Sequence, residues 1–120
     1  MQAKTLTKAE EQVMMMLWQL ESGLLMEVVE AMPAPQPHKN TVATILKILV
    51  EKEFVRVEQV GRIHRYHPAV SKEAYSRATL TGVAKGYFDG SFKNIVSFLV
   101  DEKKLSVADL ELLLKQLKKK

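Results

Sequence analysis

Asn40, Thr41, Thr44 and Lys47 recur at spacings of three to four, so a helix through them gathers an amide, two hydroxyls and an ammonium on one face, with Ala43 among them. Such groups reach base edges in the major groove of duplex DNA, which is wide enough for one α-helix, and Ala43 adds apolar contact of the kind a thymine methyl takes. Lys39, Arg62 and Arg65 suit phosphate oxygens, which position a protein but carry no sequence information. His38 and His64 could add hydrogen bonds to the same backbone. Each residue also has a plainer reading: Asn40 or Thr41 as a helix N-cap, Lys47 as a solvated lysine, the histidines as ordinary surface groups.

Other chemistries find little support. No cysteine occurs in the 120 residues, which excludes disulfides, thiolate metal sites and cysteine nucleophiles together. His64 and His67 are three apart, and on a strand that odd spacing sends them to opposite faces, so they do not readily share an ion. There is neither a Gly-x-Ser-x-Gly elbow nor a glycine-rich phosphate loop, and the carboxylates are scattered at helical surface spacings. The chain is therefore expected to be no enzyme, with no catalytic residues, no metal and no cofactor.

A helix over residues 40 to 52 has to hold the polar face, and its apolar residues are spaced to form one. Val42, Ile45, Leu46, Leu49 and Val50 make a 3.6-residue stripe that docks on a core and turns Asn40, Ala43, Thr44, Lys47 and Glu51 outward. After Lys52 and Glu53 the period becomes two: Phe54, Val55 and Val57 interleave with Arg56 and Glu58, a turn follows at Val60, Gly61 and Arg62, and Ile63 to Tyr66 return. Pro68 closes the second strand because it has no N–H to donate. The result is a two-stranded hairpin over 55 to 67, a wing directly behind the helix.

Upstream, Thr7 and Glu10 have capping-box spacing, and Ala9, Val13, Met16, Leu17 and Leu20 form the buried stripe of a helix that Ser22 and Gly23 stop. Trp18 packs in the core or on a neighbouring helix. Leu24 and Leu25 read as a short extended piece and residues 26 to 32 as a second helix. Pro33, Pro35 and Pro37 then form a rigid connection into the next helix. Two helices, a turn and a hairpin complete a helix-turn-helix with a wing.

Beyond Pro68, Ser71 caps a helix reaching Tyr87, Gly90 breaks it, Ser91 or Phe92 opens another through Val100, and Ser106 with Asp109 opens the last. Tyr87, Phe88, Phe92, Ile95, Val96, Phe98, Leu99 and Val100 crowd one short stretch, and Leu110, Leu113, Leu114 and Leu117 share one face of the last helix. Small helical units expose too large a share of their area to bury so much apolar surface internally. A second copy of the chain is expected to cover it, since two-fold homodimers are the commonest soluble assembly. Packing of the tail on its own winged helix is the alternative.

The net charge of +4 is unevenly spread. Residues 1 to 30 hold two lysines against five glutamates, whereas residues 31 to 70 hold six cations against three glutamates, so the basic excess coincides with the polar helix and hairpin. The remainder falls in residues 71 to 120, partly in Lys118, Lys119 and Lys120. No run approaches the ~18 apolar residues of a membrane span, and Lys8, Glu10 and Glu11 interrupt the first twenty residues, so neither a signal peptide nor membrane insertion is read and a cytoplasmic location is expected.

From Leu6 to about Leu117 the chain resembles the penicillinase and methicillin-resistance repressors, a family of bacterial winged-helix regulators. The matching pieces are LTKAEEQVMMMLW, NTVATILKILVEKEFV, GRIHRYHPAVSKEAY and FDGSFKNIVSFLVDEKKLSVADLELLLKQL, and their order and spacing together carry the resemblance. It implies a homodimer that binds a two-fold double-stranded DNA operator and silences transcription. It also implies release by a membrane-bound sensor metalloprotease cutting near Phe98 and Leu99. The copper-responsive branch carries C-terminal cysteines, which this chain lacks.

The expected architecture is mostly α with a small β wing: a winged helix-turn-helix domain over residues 1 to 70, then a helical dimerisation region over 71 to 120. Tyr87, Phe88, Phe92, Ile95, Val96, Leu99, Leu110, Leu113, Leu114 and Leu117 are its expected contacts. A dimeric DNA-binding repressor is the first functional reading. A winged-helix adaptor for other proteins, without sequence-specific DNA binding, is the alternative, because a fold alone does not choose between them.

Overall fold

The computed structural model describes residues 5 to 119, in the order α1 (Lys8–Leu20), β1 (Gly23–Leu24), α2 (Leu25–Ala31), α3 (Lys39–Glu51), β2 (Val55–Val60), β3 (Ile63–Pro68), α4 (Lys72–Tyr87), α5 (Phe92–Asp101) and α6 (Val107–Lys118). Lys4 and Lys120, which enter the charge count, lie outside the described residues. The chain divides after Ser76 into two compact units. Among the described residues no helix is long and apolar enough to cross a membrane.

α1 starts where its capping box requires. The Glu10 N–H donates to Thr7 Oγ1 at 3.2 Å and the Thr7 N–H donates to Glu10 Oε1 at 3.0 Å. Its buried face departs from the expected stripe. Val13, Met14 and Leu17 are fully buried and Glu10 nearly so, whereas Ala9 and Leu20 are exposed and Met16 is half-buried. Three consecutive methionines leave the phase of the stripe open, and tertiary contacts set it. Lys52, at the end of α3, donates to Glu10 Oε1 at 2.7 Å and to the Thr5 carbonyl at 3.2 Å, so a carboxylate on the buried face has a cation to meet.

The core of the first unit joins Val13, Met14 and Leu17 of α1 to Val28 and Val29 of α2, Val42, Leu46 and Leu49 of α3, and Phe54 with Val55. Each such side chain contributes about 1.5–3 kcal/mol by leaving water. Trp18 is half-buried against this core, and its indole N–H donates to the Val70 carbonyl at 2.9 Å. Tyr75, in the first turn of α4, sets its ring tilted against Trp18 at 5.9 Å and edge to face with Phe54 at 5.7 Å, and donates its hydroxyl to Glu11 Oε2 at 2.6 Å.

Leu25 belongs to α2 rather than to an extended piece, because the Leu24 N–H is taken by Glu27 Oε1 at 2.8 Å and the helix begins directly behind it. Gly23 and Leu24 form a strand that pairs antiparallel with β3, opposite Tyr66 and Arg65. The expected two-stranded hairpin is thus part of a three-stranded sheet, β1-β3-β2. In the hairpin, Val60 opposes Ile63, and Gly61 turns the chain at φ +64°, a left-handed conformation that suits glycine. β3 ends at Pro68, as the missing donor requires.

α3 passes into the wing through a Schellman motif: Phe54 N–H donates to Leu49 O at 2.9 Å, Glu53 N–H donates to Val50 O at 3.0 Å, and Glu53 sits at φ +67°. Phe54 is then buried beside Leu49, so helix and hairpin share one apolar joint.

In the second unit, α5 is capped by Ser91, whose Oγ accepts from Asn94 N–H at 3.0 Å, and α6 by the Ser106 and Asp109 box, both bonds at 3.0 Å. Phe88 and Phe98 meet edge to face at 5.5 Å. Tyr87 nevertheless stays 82% exposed, and Phe92, Val96, Leu113, Leu114 and Leu117 are exposed as well, while Ile95, Leu99 and Leu110 are half-buried.

Lys52 holds the Glu10 carboxyl below its ordinary value of 4.5, so this carboxylate adds stability above that pH and loses it as the pH falls through the lowered value. Glu10→Gln is expected to destabilise the first unit at neutral pH by about 1–3 kcal/mol. In urea unfolding, the gap to the unsubstituted chain should narrow as the solution is acidified; a gap that stays constant would remove the ionic contribution.

Candidate nucleic-acid interface

The polar face begins at a cap that the sequence did not single out for that role. His38, rather than Asn40 or Thr41, is the N-cap of α3: its Nδ1 accepts from the Asn40 N–H at 3.0 Å, and its carbonyl accepts from Thr41 and Val42 N–H at 3.0 and 3.2 Å. The cause is local. The chain leaves the proline connection with His38 extended at φ −66°, ψ 147°, the backbone an N-cap needs, so the helix starts at Lys39. The Asn40 side chain therefore has no capping duty.

Burial orients the rest of the helix. Val42, Leu46 and Leu49 are fully buried, Ile45 and Val50 half-buried. On the other side Lys39, Asn40, Thr41, Thr44, Lys47 and Glu51 are exposed and Ala43 is half-buried. Thr44 donates its hydroxyl proton to the Asn40 carbonyl at 2.9 Å, which leaves its oxygen lone pairs and methyl group as its outward chemistry. Among the described residues the Lys47 ammonium has no ion-pair partner.

The wing's cations do not all stand alike. Arg62 is exposed in the turn, and His64 is exposed opposite Gln59. Arg65 is half-buried and donates to Ser22 Oγ at 3.2 Å, with Glu27 Oε1 at 3.9 Å, so it ties the sheet to the start of α2. No local pattern marks Ser22 and Glu27 as its partners, because they meet it only through the β1–β3 pairing. His67 lies across from Arg56, and its Nε2 is 2.8 Å from Glu58 Oε1, which holds the Glu58 carboxyl below the usual range. His64 and His67 thus have separate neighbours, and among the described residues no cluster of three potential metal ligands forms.

A helix held by one apolar stripe, bare on the other and continuous with a β hairpin defines a winged-helix protein. The model of the penicillinase repressor family matches residues 6–119, and the chain belongs to that family of transcriptional repressors. The fold is shared by a solution structure of the monomeric form of Bacillus licheniformis BlaI in complex with the blaP half-operator, at 24% identity over 61% of this chain and 90% of that one, with a TM-score of 0.52. The crystal structure of the adhesin competence repressor AdcR from Streptococcus pyogenes matches at 18% identity over 95% of this chain and 78% of that one, with a TM-score of 0.48. No curated protein matches the chain.

The cap makes a local prediction. His38→Ala is expected to cost about 1 kcal/mol through the first turn of α3, and His38→Asn to recover most of it. Thermal unfolding of the three chains measures both changes; equal melting temperatures would show that the His38 bond adds nothing.

Proposed function

We propose that the chain is a dimeric transcriptional repressor that binds a two-fold DNA operator through the exposed face of α3 and the wing. The supporting observation is the division of α3 into a buried stripe of Val42, Leu46 and Leu49 and a bare face of Asn40, Thr44 and Lys47. On that face the Lys47 ammonium donates to guanine O6 or N7, the Asn40 amide pairs with adenine N6 and N7, and Thr44 accepts a hydrogen bond or meets a thymine methyl. Lys39 and Arg62 take phosphates, with His38, Thr41, Ala43, His64 and Arg65 at the margins of the contact. The BlaI structure, a monomer on a half-operator, supports one α3 for each half-site.

Dimerisation supplies the second reading helix. Tyr87, Phe92, Val96, Leu113, Leu114 and Leu117 leave a large apolar area in water, backed by Phe88, Ile95, Leu99 and Leu110, and a two-fold partner with the same face covers it. Two linked reading helices bind far more tightly than one, because the second engages at high effective concentration. Breaking the link therefore releases the operator. The bond between Phe98 and Leu99 lies inside α5, so a membrane-bound sensor metalloprotease would cut there only when that helix opens locally.

Affinity for duplex DNA should fall with salt on a log–log slope of about −0.9 per neutralised phosphate, whereas a protein-binding adaptor would show little affinity at any salt. Lys47→Ala should cost about 1–3 kcal/mol on the preferred sequence and relax preference at one base, while Arg62→Ala weakens every duplex alike and flattens the salt slope by about one. Binding to a randomised duplex pool separates the two; the same loss on all sequences from both changes would refute the division of roles. By light scattering the full chain should be a dimer, and the doubly substituted Leu113→Asp, Leu117→Asp chain a monomer. A monomeric unsubstituted chain at micromolar concentration would end the dimer proposal.

A further inference from the structure

Within the winged-helix unit, α1 and the base of the wing flank an open cleft of about 850 Å³. From α1 the lining takes Met15, which is 42% exposed, the half-buried Met16 and Trp18, and the polar Gln19. The lining also takes Arg56 and His67 from paired positions of β2 and β3, and Lys72 from the start of α4. Among the described residues neither Arg56 nor Lys72 is held in a side-chain hydrogen bond or ion pair, whereas His67 is engaged by Glu58.

From this arrangement we infer that the cleft binds a small organic anion with a flat apolar body, an aromatic carboxylate. Its size lies within the range of small-molecule sites, which combine an apolar lining with a few placed polar groups. Methionine thioethers are soft and adaptable enough to follow a flat ring, and the Trp18 indole offers a surface for stacking. Two cations set the sign of the ligand: Arg56, which feels the Glu58 carboxylate but forms no ion pair with it, and Lys72. A cationic ligand would meet them in repulsion, and a neutral one would cover them without replacing their water. Glu21 is the one carboxylate lining the cleft; it is the C-cap residue of α1, three residues past Trp18, and it disfavours a ligand carboxylate at that end. The carboxylate of the ligand accordingly sits toward Arg56 and Lys72 and its ring toward Met15, Met16 and Trp18. This inference stands apart from the DNA-binding proposal, which uses neither Arg56 nor Lys72.

Trp18 is the single tryptophan of the chain and lines the cleft, so its fluorescence reports occupancy. The probe is 4-iodobenzoate, whose iodine quenches indole emission, compared with the neutral 4-iodobenzyl alcohol on the full chain. Saturable quenching by the acid is expected, with a dissociation constant of about a millimolar for a ligand of about ten heavy atoms. The alcohol should bind at least about tenfold more weakly, a loss that Arg56→Gln combined with Lys72→Gln should reproduce for the acid. Both substitutions are at exposed positions and leave the core intact, and the circular dichroism of the variant verifies its fold. Linear, unsaturable quenching by both compounds would overturn the inference. So would an unchanged affinity for the acid in the folded double variant.

Discussion

Everything the first unit offers to a partner depends on how α3 is fixed in rotation about its own axis. Val42, Leu46 and Leu49 leave no surface to water, and at about 1.5–3 kcal/mol for each such burial a turn of the helix by even one residue would be prohibitive. Once that stripe is seated, the 3.6-residue period dictates which side chains face out. Asn40, Thr44 and Lys47 are exposed because their neighbours are buried. The two ends are held separately: the His38 cap sets where the helix begins, and the Lys52 and Glu10 pair ties its far end to α1.

The wing inherits its position from the same helix. A Schellman turn at Glu53 and the burial of Phe54 leave little freedom between α3 and β2, so the hairpin leaves the core in one direction. Strand alternation then sorts its residues. Val55 and Tyr66 pack on the core, while Arg56, Glu58 and His67 occupy the other face of the sheet. The third strand, only two residues long, has an effect out of proportion to its length. By bringing Ser22 and Glu27 to Arg65, it turns a cation that looked free for phosphate into part of the joint between sheet and α2.

The second unit follows a different balance. Its helices are well formed by their caps, since Ser91 and the Ser106 and Asp109 box satisfy N–H groups that a helix cannot satisfy internally. Local hydrogen bonding makes helices but does not cover apolar surface. Tyr87 and Leu113, Leu114 and Leu117 of α6 remain in water while Phe88 and Phe98 find each other, and that surplus is the physical ground on which a two-fold partner is proposed.

Periodicity and capping, which act within a few residues, made much of this chain legible in advance: the helices of both units, the hairpin and its turn, the stop at Pro68, and the polar face of α3. What escaped was set by contacts between distant segments. Three methionines in a row left the buried face of α1 ambiguous until α3 settled it, and the Glu10 and Lys52 partnership spans 42 residues with no local pattern to announce it. The pairing of Gly23 and Leu24 with β3, the engagement of Arg65, and the cleft that joins Met15 and Trp18 to Arg56 and Lys72 are of the same kind. A sequence by itself determines which residues can share a helix or strand face, because backbone geometry repeats every few positions. Only the tertiary structure decides which faces meet, because that depends on the packing of whole elements against one another.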